Sequence, residues 1–142
     1  MNSLNLHLSH LNYNYSQIQK QLNSETQIVA VVKAGAYGSA SEAVAKRLEA
    51  LGVDYLAVAY AEEGEVLRSY GIKIPIMVFY PQLDSLKTII EKALEPCLYS
   101  RSLLMAFKGL LKDTNKTKYP IHIKYNTGLY RVGFSPEDTD WV

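Results

Sequence analysis

A single cysteine, Cys97, stands among 142 residues, so no intramolecular disulfide can form and a stapled, secreted scaffold is excluded. A reducing cytoplasm fits this better. An excess of charge of one sign is missing too: 15 Lys+Arg face 14 Asp+Glu, a formal net charge of +1. So even a balance gives no electrostatic reason to expect nucleic acid or an anionic membrane surface as partner. Long hydrophobic runs are lacking. The longest, Ile28 to Val32, falls far short of the ~20 residues that span a bilayer. The N-terminus breaks its apolar residues with Asn, Ser and His and has no basic leading region, so it does not read as a signal peptide. Glycine (8) and proline (5) are too few for a collagen-like or low-complexity chain. What remains, 48% hydrophobic against 20% charged, is the composition of one globular domain, or part of one, with a real core.

Periodicity organises that core. Leu4, Leu8, Leu11, Tyr15, Ile18 and Leu22 recur at helical spacing and predict an amphipathic N-terminal helix. Ile28 to Val32 is a continuous β-branched run, the pattern of a strand buried on both faces. The Gly-rich segment AGAYGSAS follows; Ser41 is placed to cap a helix carrying Ala43, Val44, Leu48 and Leu51 inward, and Gly52 to end it. The alternation then repeats, with strands over Tyr55–Tyr60, Ile74–Phe79, Glu95–Tyr99 and Ile121–Tyr125. Helices over Glu62–Tyr70, Leu83–Ala93 and Leu103–Lys112 separate them. Such alternation predicts an α/β fold with a parallel sheet. Strand starts near 28, 55, 74, 95 and 121 average about 23 residues per βα unit. Eight units of that size need roughly 180 residues, within the range of a (β/α)8 barrel. Five units make the N-terminal portion of such a barrel; a doubly wound five-stranded sheet has the same spacing. SPEDTDWV, from Ser135, reads as the start of a further helix.

Chemistry concentrates in two places. Lys33 ends the first apolar run, at the carboxyl end of a predicted strand, where α/β active sites lie. Desolvation there favours the neutral amine, which forms a Schiff base with an aldehyde cofactor such as pyridoxal phosphate. The alternative is a strand-end lysine that reaches solvent or pairs with a carboxylate. After it, Gly35 and Gly38 permit tight backbone geometry, Tyr37 offers a hydroxyl, and Ser39 precedes a helix N-terminus that could face an anion. The second place is the segment from Lys124 to Phe134. Lys124 interrupts the fifth strand, and Arg131 arrives on the loop at its carboxyl end, where its fork of donors suits a carboxylate or a cofactor oxygen. Solvated rim charges are the alternative for both. Elsewhere, Cys97 beside Pro96 reads as buried. His7, His10 and His122 lack metal-ligand spacing with it, and Glu62, Glu63 and Glu65 read as a solvated helix start.

These residues carry a family resemblance. AVVKAGAYGSAS (Ala30 to Ser41) resembles the pyridoxal-phosphate attachment segment of alanine racemases, and IKYNTGLYRVGF (Ile123 to Phe134) resembles their second barrel motif. YLAVAYAEEGEVLR (Tyr55 to Arg68) and the GIKIPIMV stretch ending at Val78 are similar to that family between the two. Gly38-Ser39 and LAVAYAEEGEVLR resemble most the racemase half of bifunctional Bacteroidetes-type enzymes joined to a peptidoglycan ligase. The resemblance runs from about Leu4 to Phe134. It implies that residues 1–142 are the N-terminal part of a barrel domain, ending before the family's C-terminal β-rich domain. It further implies a cytoplasmic, homodimeric, pyridoxal-phosphate-dependent isomerase that interconverts L- and D-alanine for peptidoglycan synthesis. By the same resemblance Lys33 carries the cofactor and exchanges the α-proton, and Tyr37 contacts the cofactor phosphate. Arg131 contacts the cofactor's phenolic oxygen and the substrate carboxylate, and Lys124 matches a lysine carbamylated in some members. The opposing base, a tyrosine from the partner subunit, has no counterpart in these residues, which implies that they do not catalyse alone. Four positions depart from the family's pattern: Ser39 for histidine, Ala40 for glycine, Asn126 for an acidic residue, Leu129 for methionine. A pyridoxal-phosphate homeostasis barrel without racemase activity is the competing function, and self-association of exposed barrel edges a third.

Overall fold

Five short strands, β1 (Val29–Val31), β2 (Tyr55–Val58), β3 (Ile76–Val78), β4 (Glu95–Leu98) and β5 (His122–Ile123), pair in parallel in the order β1-β2-β3-β4-β5. This computed structural model describes residues 3–116 and 118–142. Helices α1 (Leu8–Gln19), α3 (Ser41–Ala50), α4 (Ala61–Ser69), α5 (Leu86–Glu91) and α6 (Arg101–Asp113) alternate with the strands. A helical turn of unusual hand, α2 (Lys33–Gly38), follows β1, and a 3-10 turn spans Pro136–Asp138. Among the described residues no helix is long and apolar enough to cross a membrane.

The strand order separates the two topologies that spacing left open. A doubly wound sheet reverses direction part-way and places helices on both faces. Here every strand adds to the same edge, which is the winding of a barrel. Burial agrees, because Leu56, Val58, Ile76, Val78 and Leu98 are 0% exposed and cluster with Val44, Leu48, Leu67, Ile89 and Phe107 of the helices. On the opposite, concave face Val29 and Val31 are 41% and 37% exposed. The first strand is therefore buried on one face, not on both as its unbroken apolar run predicts. Five strands form a trough, and among the described residues no far wall covers that row.

Local chemistry explains where the elements differ from the sequence pattern. The N-terminal helix is shorter than its leucine spacing suggests, because it packs through Leu11 and Tyr15 while Leu4, Ile18 and Leu22 stay exposed. α5 begins at Leu86 and not Leu83, since the Ser85 hydroxyl accepts from the Gln82 amide and donates to the Gln82 carbonyl, closing a competing turn. Ser41 does not cap α3: it is the helix's first residue, and the cap position is Ala40, whose φ is 63°. At the sheet's amino end, Asp54 accepts from the Ile28 amide (2.7 Å), and Glu49 accepts from those of Lys73 (2.7 Å) and Ile74 (3.0 Å). Asp54 thus ties the start of β1 to the segment entering β2, and Glu49 ties the segment entering β3 back to α3.

Candidate active site

Lys33 leaves β1 and enters a backbone that right-handed propensity alone would not produce. Ala34, Gly35, Ala36 and Tyr37 have φ of 51°, 64°, 54° and 58°, a full turn in the left-handed region. Three of the four carry a Cβ, at about 1–2 kcal/mol each, so tertiary contacts must offset several kcal/mol of local strain. The turn's own bond, the Ala36 amide on the Val32 carbonyl (3.0 Å), is local; the burial of Ala36 is one such contact. A second comes from α4, where one Glu63 oxygen accepts from the Ala34 amide (2.5 Å) and the other from Ala59 (2.7 Å) and Tyr60 (3.2 Å). Glu63, expected as a solvated helix-start acid, instead joins the loops after β1 and β2. The turn carries Tyr37 outward, 66% exposed.

The second cluster closes on itself. The Asn126 amide donates to the Phe134 carbonyl and the Phe134 amide to the Lys124 carbonyl, both at 2.8 Å, around the bridge Tyr125–Phe134. Gly133 makes this closure possible: its φ is 138°, and a Cβ there would lie 2.6 Å from the Asn126 nitrogen. The Asn126 side chain accepts from the Tyr130 amide (2.9 Å), shaping the approach to Arg131. Arg131 then reaches the carboxyl end of β3, where Nη1 donates to the Tyr80 hydroxyl (2.6 Å) and its guanidinium lies 6.0 Å from that ring's centroid. Tyr80, which sequence reading did not single out, thus receives the predicted arginine.

Lys124 lines a cavity of about 480 Å³ on the concave face with Phe79, Tyr80, Cys97, His122 and Tyr125. Cys97 is buried as expected, and that burial pushes its thiol up to about 11 against the opposing pull of Lys124. Deeper in the trough, His122 meets Glu95 at 2.9 Å. A groove of about 730 Å³ lies elsewhere, between α6 and Asn115, Lys116, Lys118, Tyr119 and Ile121. It is lined by Leu104, Phe107, Leu111 and Ile121, rimmed by Lys108 and Lys112, and away from the strands' carboxyl ends.

The four expected site residues therefore share the carboxyl-end rim without touching. Among the described residues no hydrogen bond or ion pair joins Lys33, Tyr37, Lys124 and Arg131, and none of the three cations has a carboxylate within ion-pair distance. Unneutralised positive charge at one rim, beside a hydroxyl, is a donor set for an anion.

Residues 6–142 match the family described as "Alanine racemase, N-terminal domain". The chain belongs to that family. The alanine racemase of Treponema denticola is 36% identical over 132 residues, covering 92% of this chain and 35% of that protein. An amino-acid racemase of Enterococcus faecalis is 37% identical over 141 residues, covering 98% of this chain and 19% of that protein. Among solved structures, alanine racemase of Clostridium difficile 630 superposes with a TM-score of 0.87 at 35% identity, over 91% of this chain and 34% of that one. The chain thus spans about a third of these alanine racemases. Its trough is an α/β fold matching the N-terminal barrel domain of alanine racemase structures.

Proposed function

We propose that the chain is the lysine-bearing part of a pyridoxal-phosphate-dependent racemase whose substrate is alanine. The observation that carries this reading is Lys33 at the carboxyl end of β1, on a left-handed turn held by tertiary contacts, with Arg131 at the same rim and, among the described residues, no carboxylate paired to either. The residues fit the cofactor: a primary amine can link to its aldehyde, and the Tyr37 hydroxyl and the Arg131 fork can hold its anionic oxygens. When bound, the cofactor withdraws electrons from the α-carbon and so stabilises the negative charge that remains after its proton leaves.

The protein's own residues do the rest. Lys33 Nζ takes the α-proton from one face of the substrate in one direction of the reaction and delivers a proton to that face in the other direction. Arg131 holds the substrate carboxylate in a bidentate grip, and the Tyr80 hydroxyl on Nη1 steadies the guanidinium. Inversion needs a second base on the opposite face; following the family resemblance, we assign it to a tyrosine of a partner subunit, which makes a homodimer the working form. Lys124, beside the thiol of Cys97, is the candidate for carbamylation, which would place an anion near Arg131.

Borohydride reduction of the chain with pyridoxal phosphate, followed by peptide mapping, tests the reading: the reduced adduct is expected on Lys33 and absent from Lys33→Ala. An adduct spread over surface lysines, with none at Lys33, would sink it. A pyridoxal-phosphate carrier without racemase activity would form the same adduct, and release of α-deuterium from labelled alanine, in the presence of the opposing tyrosine base, separates the two.

A further inference from the structure

We propose that Glu63 is the positioning residue for Lys33, setting the lysine's direction by clamping the peptide that follows it to the end of β2. The inference rests on the reading of Lys33 as the cofactor lysine. The Ala34 amide belongs to the peptide unit whose carbonyl comes from Lys33, so fixing that plane fixes the lysine's ψ and the direction in which its side chain departs. The Ala34 amide donates to Glu63 Oε1 at 2.5 Å. Glu63 Oε2 is anchored in turn by the amides of Ala59 and Tyr60, at 2.7 and 3.2 Å. The clamp thus spans two strand ends from residues 29 positions apart.

Two further observations give this contact its weight. The turn is left-handed at Ala34, Ala36 and Tyr37, so it persists only where something outside it holds it. Packing is thin on its underside, where a cavity of about 200 Å³ is lined by Val32, Gly35, Ser41, Val58, Glu63 and Val66. A charged acceptor therefore does what close packing does elsewhere in the core. Because backbone donors engage both carboxylate oxygens, Glu63 is not placed as an acid or base, and its effect passes through Lys33.

The test separates this role from simple helix capping. Glu63 is the third residue of α4, and Asp138 at the matching position of the 3-10 turn accepts from the Ser135 amide (3.0 Å), so aspartate can cap from there. Glu63→Asp should keep the capping bond to Tyr60 but fall a methylene short of Ala34; Glu63→Gln weakens both. The measurements, on the full chain, are amide hydrogen exchange without cofactor and the rate of imine formation with pyridoxal phosphate at Lys33, followed by absorbance and by mapped borohydride trapping. Glu63→Asp is expected to keep its thermal midpoint, lose protection at Ala34, and form the Lys33 imine about ten- to a hundredfold more slowly. Glu62→Gln, an exposed neighbour, serves as control. Wild-type exchange at Ala34 and a wild-type imine rate in both Glu63 variants overturn the inference. If the wild type itself forms no adduct at Lys33, the functional reading fails and takes this one with it.

Discussion

Arg68 offers the sharpest test of how the outer shell is held. From α4 its guanidinium donates to four carbonyls: Nε to Lys92 (3.1 Å), Nη1 to Ile72 and Ile74 (2.8 Å each), and Nη2 to Ala93 (2.9 Å). These carbonyls belong to the segment entering β3 and to the residues just after α5, so one side chain ties together two helix-to-strand connections. Arg68→Lys keeps the charge but replaces a rigid fork with one compact ammonium, which can satisfy at most two acceptors so arranged. Two carbonyls are then orphaned in a partly buried site. At about 1–2 kcal/mol each, the loss is about 3 kcal/mol. That is a large share of the 5–15 kcal/mol typical of a domain. With a urea slope of about 1.5–2 kcal/mol per M, the midpoint should fall by about 1.5–2 M. Lys87→Ala, which removes the exposed Lys87–Glu91 pair at 3.6 Å, should leave the midpoint nearly unchanged. A shift below about 0.5 M in Arg68→Lys would mean that the positive charge, and not the fork, supplies the stability, and the reasoning would be wrong.

Two other perturbations test separate parts of the structure. The Tyr119 hydroxyl donates to the carbonyls of Ile89 (2.9 Å) and Leu94 (2.8 Å), and burial pushes it up to about 12, with Glu95 adding to the shift and Arg68 opposing it. The unfolded chain releases that proton first, near pH 10, so stability is fully present below pH 10 and falls as pH rises toward about 12. Tyr119→Phe should lack that alkaline component in pH-dependent unfolding, and a variant with the wild-type slope would contradict the assignment. Gly133→Ala puts a methyl 2.6 Å from the Asn126 nitrogen and 2.7 Å from the Tyr125 carbonyl carbon at a φ of 138°. Its strain and two broken hydrogen bonds total about 3 kcal/mol, or on the order of a hundredfold faster exchange at the amides of Asn126 and Phe134. Unchanged exchange there would show that the loop tolerates the methyl.

The site was legible where chemistry is local. Lys33 stands out because a charge directly after Ile28–Val32 is costly, and Arg131 because it follows a strand that already holds Lys124. The role of Glu63 is hidden for an equally local reason: in Ala61-Glu62-Glu63-Gly64 it looks like any acid in a helix's first turn. Nothing nearby in sequence announces that its partner is the Ala34 amide. Tyr80 escaped in the same way, since its contact with Arg131 joins residues 51 positions apart.

Sequence alone determined the alternation of strand and helix, their number, and the residues that charge the carboxyl-end rim, because each is written in runs of about ten residues or fewer that bury one face. Tertiary structure decided the rest. Sequential strand order, and with it a trough that leaves Val29 and Val31 open, depends on pairing between distant segments that spacing leaves degenerate. The left-handed backbone at Ala34, Ala36 and Tyr37 runs against the preference of each residue, so contacts from outside the turn, such as that of Glu63 from α4, must hold it.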